Sequence, residues 1–378
     1  MGIHWVIVIT VLIIFIQVGL VSKWGLKNIY YTRYFSEEAV FEGEEMEMVE
    51  EIINKKLLPI PWLRLESRFH TNLQFQHQSN LDIVDEIFHR SMFSLMPYQK
   101  IRRRHRITCK KRGFYHQKTV SLTIGDLLGI SIYKKKLNVT TQILVYPKLI
   151  PLKEIPLPYT SWNGDVVVRR WILDDPFINA GIREYTYGDP MKRVNWNATA
   201  RVGSLQVSKK DYTADHQLLI YLNFDLTDDV WKSIEDEDLI EKGISYAASI
   251  AQSTISQGIN TGFGCNSYIR EPDEKVRSVK ESVRIEARSG KQHLYFFLNT
   301  LAKLKMDRSR NFNHFLKEDI DREIRNKDIL LITAYVSEQV QERIEELKRL
   351  GNSVEILWLE KEGKRQGDRE EEGDVSVL

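Results

Sequence analysis

The chain has 378 residues, 42% of them hydrophobic and 28% charged, with a formal net charge of +2. That balance excludes a chain built around strong net charge and, once one long apolar run is set aside, describes an ordinary soluble body. The only two cysteines, Cys109 and Cys265, lie far apart and exclude a disulfide framework, which fits a reducing compartment.

The apolar run comes first. From Ile3 to Ser22 the sequence carries no charged residue, and twenty helical residues at about 1.5 Å each cover roughly the 30 Å of a bilayer's hydrocarbon core. Trp5 and Trp24 stand near the two ends, where amphipathic rings favour the membrane interface, and Lys23 follows at once. A cleaved signal peptide would need a positive leading region and a small-residue cleavage site, and neither Met1-Gly2-Ile3-His4 nor Leu20-Val21-Ser22 supplies them. The run therefore predicts a transmembrane anchor over residues 1–24. Lys23, Lys27 and Arg33 lie after it, which by the positive-inside tendency places the bulk of the chain in the cytoplasm.

Residues 25–165 read as a β-rich, sandwich-like module: short alternating runs such as Met46-Glu47-Met48-Val49-Glu50 and Val120-Ser121-Leu122-Thr123-Ile124 are punctuated by turns. Two charge blocks of opposite sign fall within it. Eight glutamates and no base lie from Glu37 to Glu51, whereas ten bases and no acid lie between Ile87 and Gly125. The second block, with Arg102, Arg103, Arg104, Arg106, Lys110, Lys111 and Arg112, suits anionic lipid headgroups beside the anchor. Nucleic acid is a weaker candidate, since no nucleic-acid motif accompanies the block. The alternative is that acidic and basic strands face each other or water across a solvated sheet.

Residues 166–215 join this module to the next. From Asp174 to Tyr212 charges of both signs are interleaved with aromatics: Arg183, Glu184, Tyr185, Tyr187, Asp189, Arg193, Trp196 and Arg201, with a turn at Gly188-Asp189-Pro190. Guanidinium–carboxylate forks covered by rings serve either as a polar lock between modules or as a surface that grips a partner or anionic ligand.

Over residues 216–360 strands and amphipathic helices alternate: strand Leu218–Phe224, helix Ile234–Gln257, strand Ile259–Cys265, helices Gly290–Lys305 and Asn311–Arg325, strand Ile329–Val336, helix Glu338–Leu350 and strand Ser353–Leu359. Gly258 and Gly351 are each followed by Asn and a hydroxyl residue, as expected of left-handed helix stops feeding strands. This alternation predicts a mostly parallel sheet covered on both faces, so the whole is an α+β multi-domain chain. The tail, residues 361–378, is charged and predicts disorder. Ligands of such sheets bind at the carboxyl ends of the strands, where Asp225, Thr227 and Thr333 could offer oxygens to a hard cation such as Mg²⁺. The same residue types also start turns and cap helices.

Several motifs in fixed order resemble one family. Arg183-Glu184-Tyr185, Tyr187-Gly188-Asp189, Arg193-Val194-Asn195-Trp196 and Ala200-Arg201 are similar to the signature of domain-of-unknown-function family fifty-eight. Upstream, Lys111-Arg112-Gly113-Phe114-Tyr115, Gly125-Asp126-Leu127-Leu128-Gly129 and Val145-Tyr146-Pro147 resemble its β-region. The resemblance implies a bacterial membrane protein whose C-terminal part is a von Willebrand factor A-like (Rossmann-type) domain. It also implies partners: a MoxR-type AAA+ ATPase and a transglutaminase-like membrane protein. Two features depart from the family: one hydrophobic span stands where a hairpin is common, and the adhesion motif Asp-x-Ser-x-Ser is degenerate, Asp225-Leu226-Thr227-Asp228-Asp229, with Asp229 in place of the last hydroxyl.

Enzyme signatures are lacking: no GxxxxGK[ST], GxSxG or HExxH pattern occurs, and His105, His116, His216 and His293 show no ligand spacing. The expectation is a non-enzymatic membrane-anchored adaptor; the alternative is a hydrolase acting on an envelope or nucleotide substrate through Glu184 and Asp189.

Overall fold

The computed structural model describes residues 3–76, 81–84, 88–126, 132–158, 179–186, 191, 194–210, 217–227, 234–269 and 280–360. The expected disordered tail lies outside them. They divide into two compact units, one of residues 3–148 together with Leu298–Leu304, the other holding most of the remainder.

The first unit opens with helix α1 (Ile3–Trp24), which is long and apolar enough to cross a membrane. Its side chains are bare of protein on every side over most of its length, Trp5 and Phe15 included. Its C-terminal end packs, with Gln17, Val18 and Leu20 half-buried and Val21 buried in a core cluster. The helix then stops against fixed groups: Gly25 N–H donates to the Val21 carbonyl at 2.8 Å, and Lys56 Nζ donates to the carbonyl of Trp24 at 2.6 Å and to that of Gly25. A Cβ at Gly25 would stand 2.3 Å from the Val21 oxygen, so the junction requires glycine.

Ten strands follow: β1 (Ile29–Phe35), β2 (Ala39–Phe41), β3 (Glu45–Asn54), β4 (Ile60–Arg68), β5 (Leu73–Phe75), β6 (Leu81–Val84), β7 (Phe88–Leu95), β8 (Lys100–Cys109), β9 (Gly113–Gly125) and β10 (Ile132–Tyr146). They form a four-stranded sheet ordered β1-β3-β8-β5 and a six-stranded sheet ordered β2-β10-β9-β4-β7-β6. Apolar residues alternate along the strands, and the inward sets form two core clusters. In one, Tyr31 and Ile52 meet Leu63, Leu65, Phe93 and Leu122 from the larger sheet; in the other, Met48 and Ile107 meet Ile143 and Val145. The expected β-sandwich is thus present.

In the second unit, β11 (Asn179–Glu184) pairs antiparallel with β12 (Gln206–Lys210) around the short helix α2 (Trp196–Val202). The sheet proper follows: β13 (Gln217–Leu222), helix α3 (Glu237–Ser256), β14 (Asn260–Cys265), β15 (Val283–Arg288), helices α4 (Lys291–Lys303), which from Leu298 onward counts with the first unit, and α5 (Phe312–Asp321), β16 (Asp328–Thr333), helix α6 (Glu338–Arg349) and β17 (Ser353–Trp358). The order is β15-β14-β13-β16-β17, parallel except for the edge strand β15. Helices α5 and α6 bury Phe312, Phe315, Ile344 and Leu347 with Tyr221, Ile329 and Leu331 of the sheet. Helix α3 lies close: a Cβ at Gly243 would stand 2.8 Å from Leu222 Cδ1.

The alternation read from sequence is present, with shorter elements. Helix α5 ends at Asp321 rather than Arg325 because Glu323 takes a left-handed φ of 53°. Strand β16 ends at Thr333 rather than Val336 because the Thr333 hydroxyl turns the chain by accepting from Tyr335 N–H at 3.1 Å. Gly258 and Gly351 are the expected left-handed stops, at φ 85° and 89°. Strand β15 was not foreseen: its alternating charges, VRIEAR, suit an exposed edge and give no apolar run to recognise.

Candidate functional site

The carboxyl ends of β13 and β16 bring together Asp225, Asn223, Asn266, Arg308 and Thr333. Asp225 is buried, and its Oδ2 accepts the main-chain N–H of Phe312, the first residue of α5, at 2.7 Å. Its Oδ1 accepts from Asn266 Nδ2 at 3.0 Å and faces Arg308 Nη1 at 3.5 Å. The carboxylate thus takes the positive end of a helix and a guanidinium as its counter-charges. Burial raises its pKa above the ordinary aspartate value, against the lowering effect of Phe312 N–H, Arg308 and Asn266. Asn223 knits the strand ends by donating from Nδ2 to Thr333 Oγ1 at 3.1 Å and to the Tyr335 carbonyl at 3.0 Å. The Thr333 hydroxyl donates to that same carbonyl at 2.6 Å.

This donor set does not fit the Mg²⁺ that the degenerate adhesion motif implied. A hard cation needs several free oxygens converging on one point. Here both Asp225 oxygens face protein donors, Thr333 is engaged in its own turn, Thr227 is exposed, and the Arg308 guanidinium stands on the carboxylate. Asp229 lies outside the described residues. Sequence alone did not reveal Arg308, because it comes from a distant loop with no motif around it.

Among the described residues a second cluster joins groups that sequence spacing kept apart. Glu50 on β3, His89 on β7 and His105 on β8 are buried, with one ligand atom from each within 4.8 Å of the others. Glu50 Oε2 meets His105 Nε2 at 3.1 Å and accepts from Ser91 Oγ at 3.3 Å; Oε1 accepts from the Tyr31 hydroxyl at 2.8 Å. Two imidazoles and a carboxylate are a transition-metal ligand set. The flanking charges oppose that use: Arg33 and Arg103 stand directly across the strands from Glu50, on the same face of the sheet. Two arginines already share that face of the sheet, and a dication would add to the positive charge there. The cluster is therefore a polar knot in the sandwich interior. Burial, foremost, pushes the His89 pKa down to about 4, with His105, Arg33 and Arg103 acting in the same direction and Glu50 opposing. Burial alone would raise Glu50, yet its hydrogen bond with His105 and the other partners bring it to about 2.

The basic block is divided by the pleat of β8. Arg102, Arg104 and Arg106 point outward, and register sets Glu51 opposite Arg102 and Glu47 opposite Arg106. Glu51 pairs with Lys100 at 2.8 Å and Arg102 at 3.3 Å, and Glu47 pairs with Arg104 at 3.7 Å. The acidic and basic strands face each other, as the alternative reading held. Arg103 points inward with its guanidinium 4.0 Å from the Phe93 ring centroid. Lys110 and Lys111 are exposed. Arg112 alone departs from the lipid expectation by burial: it is buried and donates from Nη1 to the carbonyls of Leu301 and Leu304 at 2.9 and 3.1 Å.

The signature segment is a hairpin closed around a capped helix. Asn195 Oδ1 accepts the Ala198 N–H at 3.1 Å, and Gly203, at φ 79°, ends the helix. Val194 and Ala198 are buried, Glu184 and Arg201 are exposed, and Tyr185 is half-buried. Trp196 is 63% exposed, and Met191, Val202 and Leu205 are exposed with it. Arg183 lies on β11 with its side chain outside the described residues, as are Tyr187, Gly188, Asp189 and Arg193.

Comparison with known proteins accords with the signature. Residues 181–365 match the family model described as protein of unknown function DUF58, which supports the resemblance over the signature and the α/β unit. No curated protein matches. Solved structures similar to part of the chain include the CARDB domain of a Pyrococcus furiosus protein, at 12% identity over 32% of this chain and 96% of that one, with a TM-score of 0.21. A non-cellulosomal cohesin from Archaeoglobus fulgidus is 9% identical over 33% and 94%, with a TM-score of 0.22. The sixth cohesin of scaffoldin B from Acetivibrio cellulolyticus is 7% identical over 30% and 98%, also at 0.22. Scores this low do not bear on what the chain does.

Proposed function

We propose that the chain is a non-enzymatic, membrane-anchored adaptor of the DUF58 family, held by α1 with its two units in the cytoplasm. In this reading the α/β unit is a von Willebrand factor A-like domain, and it engages a MoxR-type AAA+ ATPase, with a transglutaminase-like membrane protein as a further partner. The sheet order, with one antiparallel edge strand beside four parallel ones, supports the domain type. The charge asymmetry after α1 supports the orientation.

The observation that carries the adaptor reading is the outward face of the signature. A segment that only packed would bury its large side chains; here Trp196 of the signature is exposed, as are Met191, Val202 and Leu205 near it in sequence. Exposed aromatic and aliphatic side chains on and beside a capped helix are the kind that a protein partner buries as its anchor points. Engagement then does not pass through a metal, since Asp225 is held by Arg308, Asn266 and α5. The test is crosslinking of the full chain in its membranes followed by mass spectrometry, with Trp196→Ala as the comparison. Recovery of a MoxR-type ATPase by the parent chain and its loss in the variant supports the reading. Equal recovery by both removes α2 from the interface, and recovery of no ATPase overturns the proposal.

A further inference from the structure

The end of α1 is bound to a rim of the sandwich whose exposed side chains no feature of the fold explains. The loop after β3 is fixed to the helix by Lys56, through the Trp24 and Gly25 carbonyls, and by Lys55 N–H, which donates to the Asn28 carbonyl at 2.9 Å. The loop between β7 and β8 is fixed to the first: Tyr98 N–H donates to the Lys56 carbonyl at 3.3 Å, and Asn54 Nδ2 donates to the Leu58 and Met96 carbonyls, each at 3.0 Å. Despite this anchoring, Leu57 is 75% exposed, Tyr98 69% and Met96 63%. Single exposed apolar residues are ordinary. Three on two interlocked loops beside an apolar helix are a patch.

The helix sets the depth of that patch. Leu57 and Leu58 line, with Leu20, Trp24, Lys27 and Lys56, a groove of about 530 Å³ between the loop and α1. Leu20 lies one turn inside the helix end, about 6 Å along its axis from Trp24. A loop that reaches Leu20 is therefore level with the last turn of the span. The bases around it suit lipid phosphate: Lys27 and Lys55 are exposed, and Lys55 Nζ lies 4.7 Å from the Tyr30 ring centroid, in the ring-plus-cation arrangement favoured at membrane interfaces.

We propose that this rim is a membrane-interface surface: Leu57, Met96 and Tyr98 insert among the headgroups of an anionic phospholipid bilayer, with Lys27 and Lys55 facing phosphate. The assignment rests on reading α1 as a membrane anchor. It gives the β-sandwich a seat on the bilayer, different from the β8 arginines that the sequence suggested.

The test uses the full chain in vesicles of phosphatidylcholine with phosphatidylglycerol. Because both native cysteines are buried, single cysteines at L57C, Y98C, M96C, I13C and E342C can carry an environment-sensitive fluorophore. Lipid-borne nitroxide is expected to quench the labels at positions 57, 96 and 98 several-fold more than at 342, an exposed site on α6, and more strongly with phosphatidylglycerol than with phosphatidylcholine alone. Quenching at 13 but not at 57, 96 and 98 overturns the rim assignment while leaving the anchor standing. Absence of quenching at 13 overturns both. Equal quenching in the two lipid mixtures overturns the role given to Lys27 and Lys55.

Discussion

Asp225 accepts the main-chain N–H of Phe312 at 2.7 Å, so the segment that follows β13 supplies an acceptor to the first turn of α5. The bond joins residues far apart in sequence and closes the place where a cation would otherwise be held. Asp225→Ala removes the acceptor for Phe312 and the counter-charge for Arg308, and is expected to destabilise the second unit by about 2 kcal/mol. Thermal unfolding of the detergent-solubilised chain measures it. The same melt is expected to be indifferent to Mg²⁺ and to chelator; a Mg²⁺-dependent rise in Tm that Asp225→Ala abolishes would show a metal site after all.

The knot around Glu50 makes the first unit sensitive to acid. The unfolded chain takes a proton on His89 near 6.5, while the folded form resists until about 4. Over that window the unfolded state binds more protons, so stability is present above 6.5 and is lost as pH falls towards 4, by up to about 3 kcal/mol. Glu50 adds a second loss from about 4.5 to about 2 by the same sign. His89→Phe, set beside Phe69 and Phe75, is expected to flatten the upper limb only. Unfolding midpoints followed from pH 7 to 4 decide this, and parallel curves for parent and variant would refute it.

Glu50 and Glu51 are neighbours on β3 with opposite fates, since the pleat turns one inward and the other to the arginines outside. Glu51→Ala removes half-exposed ion pairs with Lys100 and Arg102 and is expected to cost far less than the loss of Glu50, and less still in high salt. Glu50→Ala leaves Arg33 and Arg103 without their buried counter-charge and is expected to cost about 3 kcal/mol, nearly independent of salt. Denaturant titrations at two ionic strengths separate the pair, and similar costs would contradict the assignment of the faces.

Gly243 lies where α3 approaches β13. A Cβ there meets Leu222 Cδ1 at 2.8 Å and Leu359 Cδ1 at 2.9 Å. Both contacts are flexible side-chain ends, so Gly243→Ala is expected to be tolerated, whereas Gly243→Val should cost about 2 kcal/mol by overpacking. Melting both variants tests the contact, and an unchanged Tm for Gly243→Val would mean that α3 does not pack as described.

Much of the fold was legible because its signals are local. The span from Ile3, the glycine stops at 258 and 351 and the shift from period two to helical period each reside in a few adjacent residues. The charge blocks were visible, but their meaning depends on register: only the pairing of β3 with β8 shows that Glu51 faces Arg102 while Glu50 turns inward. The polar knot and the Arg308–Asp225 contact were not legible. Their members come from separate strands or loops with no fixed spacing, and a histidine buried against Phe75 reads in sequence like any other. The burial of Arg112 is not legible either, because a cation taken up by helix-end carbonyls leaves no trace in a run of bases.

The most direct test of the adaptor reading is crosslinking of the C-terminally tagged full chain in native membranes, with the bound proteins identified by mass spectrometry. The account predicts that a MoxR-type AAA+ ATPase is recovered by the parent chain, is lost with Trp196→Ala, and is retained with Asp225→Asn in the presence of chelator. Recovery of no ATPase, or recovery that Trp196→Ala leaves intact while chelator removes it, would contradict the account.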